Sequence, residues 1–216
     1  MKQLIKQDRE PFNSLILYHL LKWSLVSPVL HTGFKVKIHG IKNVPSKGPI
    51  ILTSNHASYL DPLLISSGVG RPVAYMAKQE LFKVPVLQQL IKLYGAYPVK
   101  RSMADRQSIR SAINALNQGW AVGIFLEGTR TVDARIHNPK LGAALIASMA
   151  QVPLLPVSLW GTEKVLVKGS SFPRFTPLTV RIGEIIAPPP SNDRQELINV
   201  TDKCANSINY LHALGR

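Results

Sequence analysis

Residues 50–65, IILTSNHASYLDPLLI, change character twice. They open on an apolar run, Ile50 to Leu52, pass through a polar patch that holds His56 and Asp61, and close on a second apolar run. On one continuous helix, five positions amount to about 500° of rotation, so the two side chains would point apart. If they act together, the patch must be a turn where a buried strand ends and a helix begins. Pro62 supports that boundary, because it disfavours helical geometry at Asp61 and is itself suited to a first helical turn. Asp61 then reads most simply as the N-cap of a helix over PLLISSGV. For His56 the plain alternative to chemistry is a loop histidine bonded to a backbone carbonyl.

Outward from this stretch the pattern alternates. Strand-like runs occur at FKVKIHG, IILTS, PVAYMA, GAYPV, AVGIFL, PLLPVSLWG and LTVRIGEI. Several are short, continuous and β-branched, as expected of strands buried on both faces. Helical segments lie between them, at PLLISSGV, LFKVPVLQQLIKLY, ADRQSIRSAINALNQ and KLGAALIASMA. In the third, Ile109, Ile113 and Leu116 recur at helical spacing and Gly119 stands where a helix would stop. A last helix is expected from Asp193 to Leu214, with Leu197, Val200, Cys204 and Ile208 along one side. The fold class is therefore α/β, a largely parallel central sheet flanked by helices. Residues 34–216 form the main domain, preceded by a helical segment over 1–33. Neither G-x-G-x-x-G nor G-x-x-x-x-G-K-[ST] is present, so nucleotide binding by those loops is unsupported.

Composition narrows the partners. Twenty-six Lys and Arg against twelve Asp and Glu give a formal charge of +14. A field of that sign draws in nucleic acid, an anionic membrane surface or a phosphorylated substrate. The single cysteine, Cys204, rules out an intrachain disulfide and fits a reducing compartment. The apolar stretch over residues 12–30 is a poor transmembrane helix, because His19, Lys22 and Trp23 interrupt its middle and Pro28 follows. A lysine at mid-membrane costs about 2.5–3.5 kcal/mol. Two readings remain. In one the helix lies in a membrane interface, with Tyr18 and Trp23 at headgroup level and Lys6, Arg9 and Lys22 near anionic lipid. In the other it packs on the domain.

Two constellations carry chemistry. A carboxylate beside an imidazole fixes its tautomer and stabilises the imidazolium that forms when the ring takes a proton. His56 and Asp61 have no enzyme nucleophile beside them, since Ser58 is not in a G-x-S-x-G elbow and Cys204 lies on an apolar helical stripe. Such a pair would activate a substrate hydroxyl or a water. In FLEGTRT, residues 125–131, a strand ends in a flexible Gly128, a hydroxyl at Thr129 and a planar cation at Arg130. These suit a phosphate or a carboxylate, while a tight turn with an internal Glu127–Arg130 ion pair explains them equally well. GAYPVKR places Lys100 and Arg101 after a further strand, with Lys78 upstream.

In order and spacing these pieces resemble the glycerolipid acyltransferase family, whose type activity is 1-acyl-glycerol-3-phosphate O-acyltransferase. Its N-H-x-x-x-x-D block is matched by Asn55, His56 and Asp61, and its G-x-[IF]-x-V-x-R block by Gly95 to Arg101, with Tyr97 in place of an aliphatic residue. The F-P-E-G-T-R-S block is matched by Phe125 and by Glu127 to Arg130, and the V-P-[IV]-[IV]-P-V block by residues 152–157. Lys78 also falls where the family has a lysine. The resemblance spans about residues 34–185. Leu126 replaces the usual proline, which is expected to loosen the turn before Glu127, and Thr131 replaces a serine.

The resemblance implies transfer of an acyl group from acyl-coenzyme A or acyl carrier protein to the sn-2 hydroxyl of a 1-acyl-glycerol 3-phosphate. His56 would be the general base and Asp61 its orienting carboxylate. Amides at residues 61–63 would be candidate oxyanion donors, and Arg101, Arg130 and Lys78 would hold the phosphate. Glu127 would orient Arg130 or bind a glycerol hydroxyl, with Asn55, Gly128 and Thr129 completing the site. No cofactor and no metal is called for. The expected partners are a lysophospholipid substrate, an anionic membrane surface and an acyl carrier protein. The expected location is peripheral or monotopic on the cytoplasmic face of a membrane. Rival readings are acylation of glycerol 3-phosphate or another lysophospholipid, a lipid-binding scaffold, and a basic nucleic-acid-binding domain. Aromatic residues show no stacking pattern, which weighs against the last.

Overall fold

The computed structural model describes residues 12–78, 97–99, 104–165 and 174–216. The apolar run after Pro49 forms β2 (Ile50–Ser54), which is buried at every position. A strand buried on both faces needs neighbours on both edges, and β2 has them: β5 (Ala121–Phe125) on one side and β6 (Leu154–Trp160) on the other. Both pair parallel to it, with Ser54 opposite Phe125 and opposite Val157. Beyond β5 lie β3 (Val73–Lys78) and β4 (Tyr97–Val99), also parallel. Beyond β6 lie β7 (Thr179–Ile182) and, at the edge, β1 (Lys37–His39). β7 runs antiparallel to β6 and carries β1 parallel to itself, so two of the seven described strands run against the rest.

Alternation along the strands feeds two cores. On one face, Ile51, Val122, Ile124 and Leu154 pack against helices α3 (Ala104–Asn117), α4 (Gly142–Ala150) and α5 (Arg194–Ala213). On the other, Ile50, Leu52, Ala121, Leu155 and Val157 pack with Leu64, Ile65 and Val69 of α2 (Asp61–Val69). α3 ends at Asn117, and Gly119, at φ +81°, turns the chain into β5. The Asp193 side chain caps α5 by accepting from the Gln195 amide at 2.9 Å. Cys204 lies in the first core, where burial pushes its thiol up to about 11, so it stays protonated and unreactive. The expected helix over 81–94 lies outside the described residues.

The N-terminal segment begins as α1 (Phe12–Leu21) and continues through π-helical turns at Lys22–Val26 and Val29–Gly33. Tyr18 does not stand at headgroup level: it is buried, and its hydroxyl donates to the Ser66 carbonyl of α2 at 2.6 Å. Lys22 is half-buried over the rings of Tyr18 and Trp23, and burial lowers its pKa. Ile16, Leu20 and Trp23, spaced four and three apart, remain exposed on another side of the same segment. The segment thus packs on the domain with one side and shows an apolar stripe with another. Among the described residues no helix is long and apolar enough to cross a membrane.

Candidate active site

The parallel pairing of β2 with β5 brings the ends of both strands to one edge of the sheet. From there the chain turns from Ser54 to Asp61, and the turn folds His56 back onto the carboxylate. The Asp61 Oδ2 accepts from His56 Nδ1 at 2.8 Å and from the amides of Ala57 and Ser58 at 2.7 and 2.8 Å. Asp61 is fully buried, while the imidazole keeps 17% of its surface in solvent. The expected helix cap is not what this carboxylate does. α2 has no side-chain cap, and both amides bonded to Asp61 lie upstream of the helix. Asp61 ties off the turn and holds the ring by the same oxygen.

With Nδ1 held by Asp61, Nε2 is the ring nitrogen left to take up a proton. Phe125, the last residue of β5, stacks on the imidazole at 3.9 Å between centroids and 13° between planes. The His56 carbonyl accepts from the Thr131 amide at 2.8 Å. Ring and backbone are therefore fixed from separate directions. Stacking on the imidazole is a contact of Phe125 that motif reading alone did not reveal. It follows from the Ser54–Phe125 register, which a sequence shows only after the strands have been paired.

Asn55 makes no bond to His56 or Asp61 among the described residues. Its amide nitrogen donates to the carbonyls of Ala134 and Leu159 at 2.6 and 2.8 Å, and its oxygen accepts from the Leu159 amide at 2.8 Å. It is a buried clamp between β2, β6 and the loop over residues 131–140, and its oxygen also accepts from the Ser54 hydroxyl at 3.3 Å. Asn55 is thus a scaffold residue, not the substrate contact anticipated for it.

The turn after β5 also differs from expectation. Glu127 forms no ion pair with Arg130 among the described residues. Its Oε1 accepts from the amides of His137 and Asn138, holding the far end of the 131–140 loop. Arg130 lies instead on Tyr59, with its guanidinium carbon 3.9 Å from the ring centroid and Nη2 donating to the phenol oxygen at 3.0 Å. Gly128, at φ +70°, makes the turn, and Thr129 beside it is exposed. Leu126, in place of a proline, does not loosen it. Its amide donates to the Ser54 carbonyl at 3.0 Å and its carbonyl accepts from Lys140 at 2.7 Å, while its side chain joins the core. Lys78 ends β3, but its side chain lies outside what the structure describes, as does Arg101 altogether. Of the three expected oxyanion amides, that of Asp61 is given to the Ser58 carbonyl and Pro62 has none, which leaves Leu63.

Comparison with known proteins points one way. The family model described as Acyltransferase matches residues 35–160. A chloroplastic 1-acyl-sn-glycerol-3-phosphate acyltransferase of Arabidopsis thaliana is 30% identical over 165 residues, covering 74% of this chain and 46% of its own length. A 1-acyl-sn-glycerol-3-phosphate acyltransferase of Bacillus subtilis is 34% identical over 128 residues, covering 58% of this chain and 63% of its own length. The chain thus spans less than two thirds of either relative. The crystal structure of the 1-acyl-sn-glycerophosphate acyltransferase PlsC from Thermotoga maritima superposes with a TM-score of 0.68 at 25% identity, over 90% of this chain and 83% of that one.

Proposed function

The chain belongs to the acyltransferase family, and from that membership we propose that it transfers an acyl group from a thioester to the free hydroxyl of a 1-acyl-glycerol 3-phosphate, forming phosphatidic acid. The observation that carries the mechanism is the fixing of His56 Nδ1 by a fully buried Asp61. It leaves Nε2 as the base. His56 takes the acceptor's hydroxyl proton as that oxygen attacks the thioester carbonyl, and Asp61 stabilises the imidazolium. As the tetrahedral intermediate collapses, the imidazolium returns the proton to the departing thiolate, so ester and thiol leave with protons balanced. In this reading the acceptor's hydroxyl is itself the nucleophile, and the reaction calls for no cofactor beyond the thioester donor. The Leu63 amide, near the start of α2, is the oxyanion donor best supported by elimination.

The acceptor's phosphate is held by Arg130, and the sequence offers Arg101 and Lys78 as further cations for it. An arginine already stacked on an aromatic ring keeps its donor edge for a phosphate. Gly128 and Thr129 frame that contact, and Glu127 serves it indirectly by fixing the loop. The +14 charge and the exposed Ile16, Leu20 and Trp23 fit docking on an anionic, cytoplasmic leaflet. The same charge suits an acidic donor, either coenzyme A or an acyl carrier protein.

The test is acyl transfer by the purified protein, with lysophosphatidic acid, glycerol 3-phosphate and lysophosphatidylcholine offered separately alongside each donor. Transfer to lysophosphatidic acid should be selective, and His56→Ala should lower it by about 10²–10⁴-fold with the fold retained. Transfer to a different acceptor keeps the chemistry and reassigns the substrate. Near-normal turnover by His56→Ala removes the mechanism.

A further inference from the structure

Asp61 uses its two oxygens unequally. Oδ2 accepts three donors, whereas Oδ1 is buried and has no partner among the described residues. Buried carboxylate oxygens are seldom left bare, because the lost hydration is not returned. A second orphan lies two strands away, on β3. The Tyr75 hydroxyl is buried and likewise has no partner among the described residues. Burial first, and then the charge of Asp61, hold the Tyr75 phenol well above its ordinary range, so the two groups are close enough to feel one another. A phenol O–H is a donor that can swing about its C–O bond, and the bare carboxylate oxygen is an acceptor.

The sequence makes room for this ring. Gly123 stands opposite Tyr75 in the β3–β5 register. A Cβ on Gly123 would fall 2.1 Å from Tyr75 Cε1, so the phenol can lie across β5 only because that residue is glycine. Phe125 follows two positions later on the same side of β5. Its ring stacks on Tyr75 at 5.6 Å and 18°, and on His56 at 3.9 Å and 13°. Tyr75, Phe125 and His56 thus form one aromatic stack, and Asp61 bonds the imidazole at its end.

We propose that Tyr75 is a positioning residue for the acid–base pair, its hydroxyl donating through one buried water to Asp61 Oδ1. The bridging water satisfies both orphans and needs only the two polar partners the site provides. Tyr75 then acts through Asp61: it fixes the carboxylate's second oxygen and shares its charge, so that Oδ2 stays on Nδ1. The effect on turnover rests on the acyl-transfer reading above, but the link itself does not.

Tyr75→Phe tests this, because it keeps the ring and the stack and removes only the hydroxyl. The readout that needs no substrate is the low-field proton resonance of His56 Nδ1, identified by its loss in His56→Ala. It reports the bond to Asp61 and is expected to move downfield in Tyr75→Phe as the carboxylate loses a competing donor. In the transfer assay kcat should fall about two- to tenfold, the scale of one lost hydrogen bond, with the acceptor KM unchanged. The melting temperature should fall slightly, since the variant removes one partner of a buried hydrogen-bonded bridge and leaves Asp61 Oδ1 less satisfied. An Nδ1 resonance that does not move in the folded variant overturns the proposal. A wild-type protein that transfers no acyl group to any acceptor overturns the functional reading instead, and the resonance still decides the link.

Discussion

Tyr59 stands between His56 and Asp61 in the chain, and its side chain carries Arg130. An exposed cation–π contact contributes about 0.5–1 kcal/mol. Tyr59→Ala is therefore expected to raise KM for a phosphorylated acceptor about two- to fivefold while leaving kcat alone, and Tyr59→Phe, which keeps the ring face, should recover most of that loss. Equal KM values for wild type and Tyr59→Ala would show that the ring does not prepare Arg130 for the phosphate. Single residues are also where sequence reading was least reliable. Asp-Pro before an apolar run signals a helix start, but not whether the carboxylate faces the amides ahead of it or behind it. Asp61 takes the ones behind. The three-residue spacing of Glu127 and Arg130 permits an ion pair, but the turn at Gly128 sends them apart, one inward to the loop and the other outward to Tyr59.

At the scale of elements much more was legible. The buried strands announced themselves as continuous apolar runs, and five of the seven described strands are parallel in one direction as such runs imply. Helices α3 and α5 followed from their spacing of apolar residues and from Gly119 and Asp193 at their ends. Strand order was not legible, because pairing joins residues distant in sequence and no local pattern encodes it. Leu126 shows what that order decides. Once β5 lies beside β2, its amide extends the ladder to Ser54. Leu126→Pro would restore the family's usual residue yet remove that donor and a buried side chain. We expect a loss of about 2–4 kcal/mol in unfolding free energy by urea denaturation. An unchanged midpoint would mean that the ladder bond and the packing at this position are dispensable.

The whole molecule adds constraints that no single element shows. His212, near the end of α5, is buried with neither ring nitrogen bonded among the described residues. Burial lowers its pKa, an effect reinforced by Arg135 and opposed by Glu163 and Asp133. The folded state therefore prefers the neutral ring, while the unfolded chain takes a proton near the ordinary value of about 6.5. Stability from this residue is complete above that value and declines as pH falls below it. The urea midpoint of the wild type should drop between pH 7.5 and pH 5.5, and His212→Leu should flatten that drop. A variant with the same slope as the wild type would place the acid sensitivity elsewhere.

Asn55 fastens the strand before His56 to Leu159 and Ala134, and Asn209 of α5 in turn fastens Ile136 of the same loop by two hydrogen bonds. The turn that joins His56 to Asp61 is written before its clamps. During synthesis on the ribosome, a chain that has exposed His56 and Asp61 still lacks the partners that hold them, until residues as late as Asn209 have emerged. A nascent chain would thus meet its surroundings with this turn unclamped, and the turn would be set only once those later residues had folded back onto it.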